Sequence, residues 1–428
     1  MLFYFIYFFI SPLLFFTIYI YKFFNKKIST HFKNEKVSIN NVIRKLSSVN
    51  RAKQDVLIFH AASAGEFEQL KPILKRINRS KYFIIQTFTS PTIFEKESKS
   101  HLFDVCCYHP YDFFWKSYSF FSQIKPKAYI VTRHDVWPSH LFILNKLDIK
   151  TFYINANLHN NSLWLNIYFR FFFRAIFQNI KFCLVPSTNI KNQFVHIIEK
   201  EKIYIMGDSR FDQIIDRKNK NNKITFLNNI LDKSFNIIFG SYDEYDEKII
   251  INSLLKYYKN GNQSLENLKH KIILVPHEIN KKKINSMIHK LEINNFKPYL
   301  WSNINKNINT SINLLIVDQI GILADIYRYT KLAYVGSGFN DGVHSVIEPG
   351  VYGNVVSFGP NIELLDEAKY LYKNKIGYMI KNNQNMLNFF NLHKDNNTIE
   401  KLSKDIKNYI YKQQGASNKI IQFIEQHI

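Results

Sequence analysis

Short apolar runs alternate with amphipathic stretches along most of the chain. DVLIFH (55–60), YFIIQT (82–87), KAYIVT (127–132), KTFYIN (150–155), KFCLVP (181–186) and KIYIMG (202–207) predict buried strands. Runs of this length, rich in β-branched and aromatic residues, suit a sheet covered on both faces. Helical spacing fills most of the gaps, as in EFEQLKPILKRI and PSHLFILNKL. That alternation predicts a parallel α/β domain. The charged, Asn-rich DRKNKNNK (216–223) interrupts it, and the pattern then restarts with FNIIFG (235–240), KIILVP (271–276), NLLIVD (313–318), KLAYVG (331–336) and NVVSFG (354–359). From about Asn397 only helical spacing remains. The expected division is an N-terminal segment 1–24, a first α/β domain 25–215, a linker 216–234, and a second α/β domain with a helical tail, 235–428. Two such domains facing each other across a cleft would hold ligands beyond the carboxyl ends of their strands.

The first 21 residues carry no charge, and about 20 apolar residues match the hydrocarbon thickness of a bilayer. The basic KFFNKKISTHFKNEK follows. Charge after the apolar run, with no small-residue cleavage site, argues against a signal peptide and for a membrane anchor. The positive-inside rule then places the basic flank and all that follows in the cytoplasm. The 57 Lys and Arg outnumber the 34 Asp and Glu, giving a formal net charge of +23. Such an excess suits an anionic partner, although lysines scattered through an Asn-, Ile- and Lys-rich chain also make an ordinary solvated face. Cys106, Cys107 and Cys183 show neither metal spacing nor a disulfide framework, which predicts a reducing compartment.

Chemistry-bearing residues gather at the predicted strand ends. In LIFHAASAGEFEQL the strand closes at His60, passes through small residues to Gly65, whose torsional freedom suits a tight turn, and sets Glu66 at a helix start. A carboxylate there either favours the helix dipole or serves as a base. TFTSPT (87–92) is a hydroxyl-rich turn, and TRHDVWPSH (132–140) places Arg133, His134 and Asp135 before a Trp-Pro helix start. Helix capping and an Arg133–Asp135 pair would account for these residues without catalysis. In the second half, FGSYDEYDE (239–247) opens a helix after Gly240 and Ser241, where free amides attract phosphate. Its acidic residues Asp243, Glu244, Asp246 and Glu247 are expected to satisfy the helix dipole rather than bind a metal. VPHEI (275–279) sets His277 at another strand end. The densest stretch is YVGSGFNDGVHSVIEPGVYGNVVSFGP (334–360), where Gly336, Gly338 and Gly342 precede His344, Ser345 and Glu348. Glycines permit close approach to a phosphate and a helix-borne carboxylate suits a ribose diol, yet the spacing is neither that of a P-loop nor of a dinucleotide fingerprint.

A glycine-bearing loop followed by a Glu-Pro helix, late in a second α/β domain, resembles the donor site of two-domain glycosyltransferases of the B type. The resemblance narrows when the motifs are taken in order: the hydrophobic N-terminus, HAASAGE, TFTSPT, HPYD (109–112), HDVWP, INANL (154–158), GDSRFD (207–212), GSYDEYDE, VPHEI, GSGFNDGVHSVIEP, FGP and QQGAS (413–417). Together they resemble the 3-deoxy-D-manno-octulosonic acid (Kdo) transferases of lipopolysaccharide assembly, over nearly the whole chain. The resemblance implies two Rossmann-like domains with an N-terminal anchor in the inner membrane and catalytic domains facing the cytoplasm. It implies transfer of Kdo from CMP-Kdo to a lipid A precursor, with inversion, no cofactor, no metal and no nucleic-acid partner. Glu66 is implied to be the general base, with Asp135 as a second catalytic residue. Arg210, Ser241, His277, Gly336, Gly338, His344, Ser345 and Glu348 are implied to bind donor, and Ser63, Gly65, Thr89 and Arg133 to bind acceptor. The chain departs from the common pattern at Ser345, often Asn, and at Asp135, often Glu. YFRFFFRAIF (168–177) would cover a lipidic acceptor, or else is a core helix with snorkelling arginines. A glycosyltransferase of the same fold that uses a UDP-sugar is the alternative these motifs allow.

Overall fold

The first sheet is built from β1 (Asp55–Ala61), β2 (Tyr82–Phe88), β3 (Val105–Tyr108), β4 (Ala128–Thr132), β5 (Lys150–Ile154), β6 (Phe182–Val185) and β7 (Ile203–Ile205). The second comprises β8 (Phe235–Tyr242), β9 (His270–Pro276), β10 (Pro298–Leu300), β11 (Leu314–Ile316), β12 (Leu332–Val335), β13 (Val355–Phe358) and β14 (Gly377–Met379). The computed structural model describes residues 2–133, 135–159, 162–220, 224, 226–231, 234–304 and 312–428. His134 and part of the expected linker, 221–223, 225, 232 and 233, lie outside the described residues.

Both sheets are parallel, ordered β3-β2-β1-β4-β5-β6-β7 and β10-β11-β9-β8-β12-β13-β14. Helices cover both faces, so strand residues such as Leu57 and its register partner Ile84 are fully buried, which is why the strands read as unbroken apolar runs. In each sheet the strand order reverses at one place, between β1 and β4 in the first and between β8 and β12 in the second. Loops leave in opposite directions at such a point and open a crevice at the carboxyl ends of the strands.

The chain forms two compact units, residues 1–213 with 413–428, and residues 214–412. The expected boundaries need two corrections. The supposed linker is partly helical, with Ser209–Asn219 and Phe226–Leu231 both forming helices. The C-terminal helix Ala416–His427 belongs to the first unit, not the second. Its Ile420, Phe423 and Ile424 enter the same core as Phe152 and Phe182. Asp212 accepts hydrogen bonds from the amides of Gly415 and Ser417, both at 2.7 Å. Ala416 fits against Gly207, where an added Cβ would lie 3.0 Å from the Ala416 Cβ. GDSRFD and QQGAS, some 200 residues apart, are therefore two halves of one helix cap.

The three cysteines are free and buried. The N-terminal helix Leu2–Tyr21 is long and apolar enough over Phe3–Tyr21 to cross a membrane.

Candidate functional site

At the reversal point of the first sheet, β1 delivers His60, β2 leads to Thr89, and the chain after β4 carries Arg133 and Asp135. The helix Ala64–Leu74 begins beside them because Ser63 caps it: the Ser63 hydroxyl accepts from the Glu66 amide at 3.3 Å. Glu66 answers with Oε2, which accepts from the Ala62 and Ser63 amides at 2.8 and 3.1 Å. This reciprocal cap is a sufficient structural reason for a Ser-x-x-Glu sequence. It occupies one carboxylate oxygen, and among the described residues Oε1 accepts no hydrogen bond. Burial, and then the charge of Asp135, push the Glu66 carboxyl above its ordinary value, against His60 and the two amides. Glu66 is 7% exposed, while Ser63, Ala64 and Gly65 in front of it are exposed.

Gly65 corrects one expectation. It sits in the first helical turn without a positive φ, and an added Cβ would meet nothing within 4 Å. The position provides open space rather than an unusual torsion.

Asp135 does not take Arg133 as its described partner. Its Oδ2 is 2.5 Å from His60 Nε2 and accepts from the Thr89 hydroxyl at 3.3 Å. Burial opposes its charge, but the His60 bond and charge hold the Asp135 carboxyl below its usual value. His60 is fixed from behind: Nδ1 is 2.8 Å from Thr87 Oγ1, and its ring stacks on His109 with centroids 3.9 Å apart. Arg133 has φ 63°, and its carbonyl accepts from the Tyr153 hydroxyl. Asn155, with φ 49°, receives the Ser209 amide on Oδ1 at 3.1 Å. Two non-glycine residues in left-handed conformation at adjacent strand ends are costly, and such strain concentrates at functional sites. Arg210 lies on the next helix, where Nε and Nη2 both reach Asp208 Oδ2 at 2.8 Å.

The second sheet repeats the arrangement with different groups. Ser241 (φ 55°) and Ser337 (φ 67°) mark the ends of β8 and β12. Ser241 Oγ is 2.9 Å from His277 Nδ1, and His277 stacks on His344 with centroids 4.6 Å apart and planes 17° from parallel. His344 Nε2 is buried with no partner among the described residues, which is costly unless a ligand supplies one. Burial, then His277, hold the His344 ring below its usual value against Asp243 and Asp341. Both rings line a cavity of about 330 Å³ shared with Tyr245, Lys283, Met287 and Ser337. The acidic residues of this region are largely committed: Asp243 and Asp246 form a capping box, and Glu244 pairs with Lys283 at 2.9 Å.

The glycines of this loop have a packing role. A Cβ at Gly336 would lie 2.4 Å from the Ser241 carbonyl oxygen, and one at Gly338 would lie 2.6 Å from Gly359 Cα. Backbone fills the space they leave. Gly338→Ala is accordingly expected to cost roughly 1–3 kcal/mol and several degrees of Tm, read by calorimetry. Ser345 and Glu348 follow, both partly exposed, with Glu348 in the first turn of the helix Ile347–Tyr352. Burial raises the Glu348 carboxyl, Arg217 opposes that, and Asp325 adds to it.

Sequence reasoning selected His60 and Asp135 separately but not as a pair, and it missed Thr87 and the stacked His109. HPYD was the available signal for His109. Nothing in the local sequence announces His31, whose two ring nitrogens lie 3.0 and 2.9 Å from the carbonyl oxygens of Thr89 and His109.

Residues 38–213 match the family described as 3-deoxy-D-manno-octulosonic-acid transferase (kdotransferase). The Kdo transferase of Aquifex aeolicus is 29% identical over 328 residues, covering 76% of this chain and 81% of its own length. That of Rickettsia typhi is 23% identical over 361 residues, covering 81% and 74%. A bifunctional glycosyltransferase/methyltransferase of Fusobacterium nucleatum is 25% identical over 342 residues; the match takes in 77% of this chain but spans only about half, 51%, of that protein. Among solved structures, a UDP-GlcNAc 2-epimerase from Neisseria meningitidis gives a TM-score of 0.55 at 14% identity, covering 87% of this chain and 100% of that one. A glycosyltransferase from Rickettsia africae gives 0.56 at 9% identity, covering 87% and 97%. These two likenesses are of fold alone. The sequence matches go further: over residues 38–213, and along about three quarters of its length in the pairwise alignments, the chain is similar to Kdo transferases, and it is a glycosyltransferase.

Proposed function

We propose that the protein transfers Kdo from CMP-Kdo to a hydroxyl of a lipid A precursor, with inversion, at the cytoplasmic face of the inner membrane to which its N-terminal helix anchors it. The observation that carries this reading is the state of Glu66. Its carboxyl is buried, raised in pKa, satisfied at one oxygen and open at the other, behind exposed small residues. An acceptor hydroxyl is a poor nucleophile and needs a base within hydrogen-bond reach. Asp135, held ionised by His60, keeps Glu66 basic and supplies a further acceptor. The donor's nucleotide is already a good leaving anion, so its site needs hydrogen-bond donors more than an acid. Ser241, His277 and the unsatisfied His344 Nε2 provide such groups, with Gly336, Gly338, Ser345 and Glu348 shaping the loop that carries them. The assigned role of Arg210 is to balance donor charge, which requires it to share its guanidinium with Asp208. Ser63, Gly65, Thr89 and Arg133 are assigned to the acceptor. No cofactor or metal enters the proposed reaction.

The test is transfer by the purified full-length chain from freshly generated CMP-Kdo to a tetra-acylated, bisphosphorylated lipid A precursor, with UDP-sugars assayed in parallel. Labelled lipid from CMP-Kdo alone supports the proposal; turnover of a UDP-sugar alone replaces it. Gly65→Ala adds a finer check. It should leave stability unchanged or raise it slightly, by about 0.5 kcal/mol, because alanine suits a helix better. An acceptor that uses the open space should nevertheless show a higher KM.

A further inference from the structure

The helix Leu2–Tyr21 touches the first unit from its first turn to its last. Tyr4 is 5% exposed and Ser11 fully buried. Asn179 donates to the Tyr4 hydroxyl at 2.7 Å, and the Tyr7 hydroxyl donates to Asp112 at 2.8 Å. Asp112 also accepts the amides of Ser139 and His140, so Tyr7 is tied into the folded interior. Further along, Phe15 meets Phe113 edge-on at 5.0 Å and Tyr19 meets Phe32 at 6.0 Å. A 20-residue helix is about 30 Å long, close to the hydrocarbon thickness of a bilayer. To cross a bilayer it would have to leave this surface along its length and break those polar bonds.

The outer face of the same helix is apolar. Phe5, Phe9, Leu13, Phe16 and Ile20 are 44–66% exposed. Two neighbouring regions continue it. A depression of about 720 Å³, bordered by Phe5, Phe8 and Phe9 on one side and Trp115 and Tyr118 on the other, joins it to the helix Phe114–Ile124. Phe3 packs on Phe172 at 5.9 Å and joins it to the segment 163–172, where Leu163, Ile167, Tyr168 and Phe171 are 67–81% exposed. Charge agrees with a single occupant. Residues 1–34, 113–127 and 160–183 contain no Asp or Glu, while Lys26, Lys27, Lys33 and Arg174 are exposed among them.

We infer that the N-terminal helix lies flat in the membrane interface, docked on the first unit, and that its outer face joins the aromatics of 115–118 and 163–172 in one seat for an anionic lipid surface. Large exposed aromatics with lysine and arginine and no carboxylate are the composition of an interfacial helix rather than of a spanning one. The inference does not depend on the identity of the donor or acceptor.

Its test is the sidedness of two single cysteines in the full chain, one fused ahead of Met1 and one at Lys33→Cys, the native thiols being buried. Both should react with a membrane-impermeant maleimide in inverted inner-membrane vesicles and neither in intact spheroplasts. Reaction from opposite faces would overturn the in-plane placement. A second arm uses Tyr168→Glu with Phe171→Glu and phosphatidylglycerol-containing vesicles. Co-sedimentation should fall roughly tenfold, since two apolar anchors are replaced by charges of the wrong sign. Unchanged co-sedimentation would remove the segment 163–172 from the seat.

Discussion

Glu66→Gln is expected to lower transfer by roughly 10²- to 10⁴-fold, the range that a positioned general base contributes, while CMP-Kdo affinity is unchanged. The substitution separates two roles that this carboxylate combines. A glutamine carbonyl oxygen can still accept from the Ala62 and Ser63 amides, which Glu66 Oε2 now occupies. The helix Ala64–Leu74 therefore keeps its cap, and stability should hold. What glutamine cannot do is take a proton. Full turnover in the glutamine variant would leave Glu66 as a capping residue only. The pH profile gives an independent reading. Because burial and Asp135 raise the Glu66 carboxyl, kcat/KM should climb with pH through a point above the ordinary carboxylate range. Asp135→Asn removes a negative neighbour, so the climb should move to lower pH. Movement in the other direction would show that the loss of His60's partner outweighs the loss of charge.

The doubly wound architecture was legible because buried parallel strands are apolar along their whole length. Eleven strands were expected at nearly their observed positions. The three that escaped, β3, β10 and β14, are all edge strands of three or four residues. An edge strand pairs on one side only and needs no long apolar run, and VCCY, PYL and GYM are too short to show a period. The strand-end motifs were legible for a similar reason: reversal of strand order gathers those ends in one place. Sequence could not reveal how they pair. His60 and Asp135 are 75 residues apart, and only the register of β1 against β4 brings them within hydrogen-bond reach. Nor could it show that GDSRFD meets QQGAS, since a cap formed between distant segments leaves no local trace. The glycines misled in a particular way. Gly336 and Gly338 invite a phosphate by composition, yet their missing side chains are needed by the backbone of Ser241 and Gly359.

Asp246→Ala should be the most destabilising single change in the second unit. Asp246 is fully buried, and its carboxylate accepts three hydrogen bonds: from the Tyr334 hydroxyl at 2.6 Å, the Asp243 amide at 3.0 Å and the Ser337 amide at 2.5 Å. Burial pushes this carboxyl up and the nearby Asp243 adds to that, so the three donors are what hold it in place. Alanine leaves all three donors without a partner in the interior, at about 1–3 kcal/mol each, or roughly 3–9 kcal/mol together. For a unit of this size the loss corresponds to a Tm lower by roughly 10 °C or more. Glu244→Ala is the control, because its Lys283 pair is solvent-exposed and should leave Tm where it is. The same bonds pin Ser337 in its left-handed conformation at the head of the glycine loop. A milder Asp246→Asn variant, which keeps one good acceptor, should therefore fold and yet hold CMP-Kdo less tightly than the native chain. A Tm within about 2 °C of the native value in the alanine variant would show that water satisfies these donors, and that the loop does not depend on Asp246.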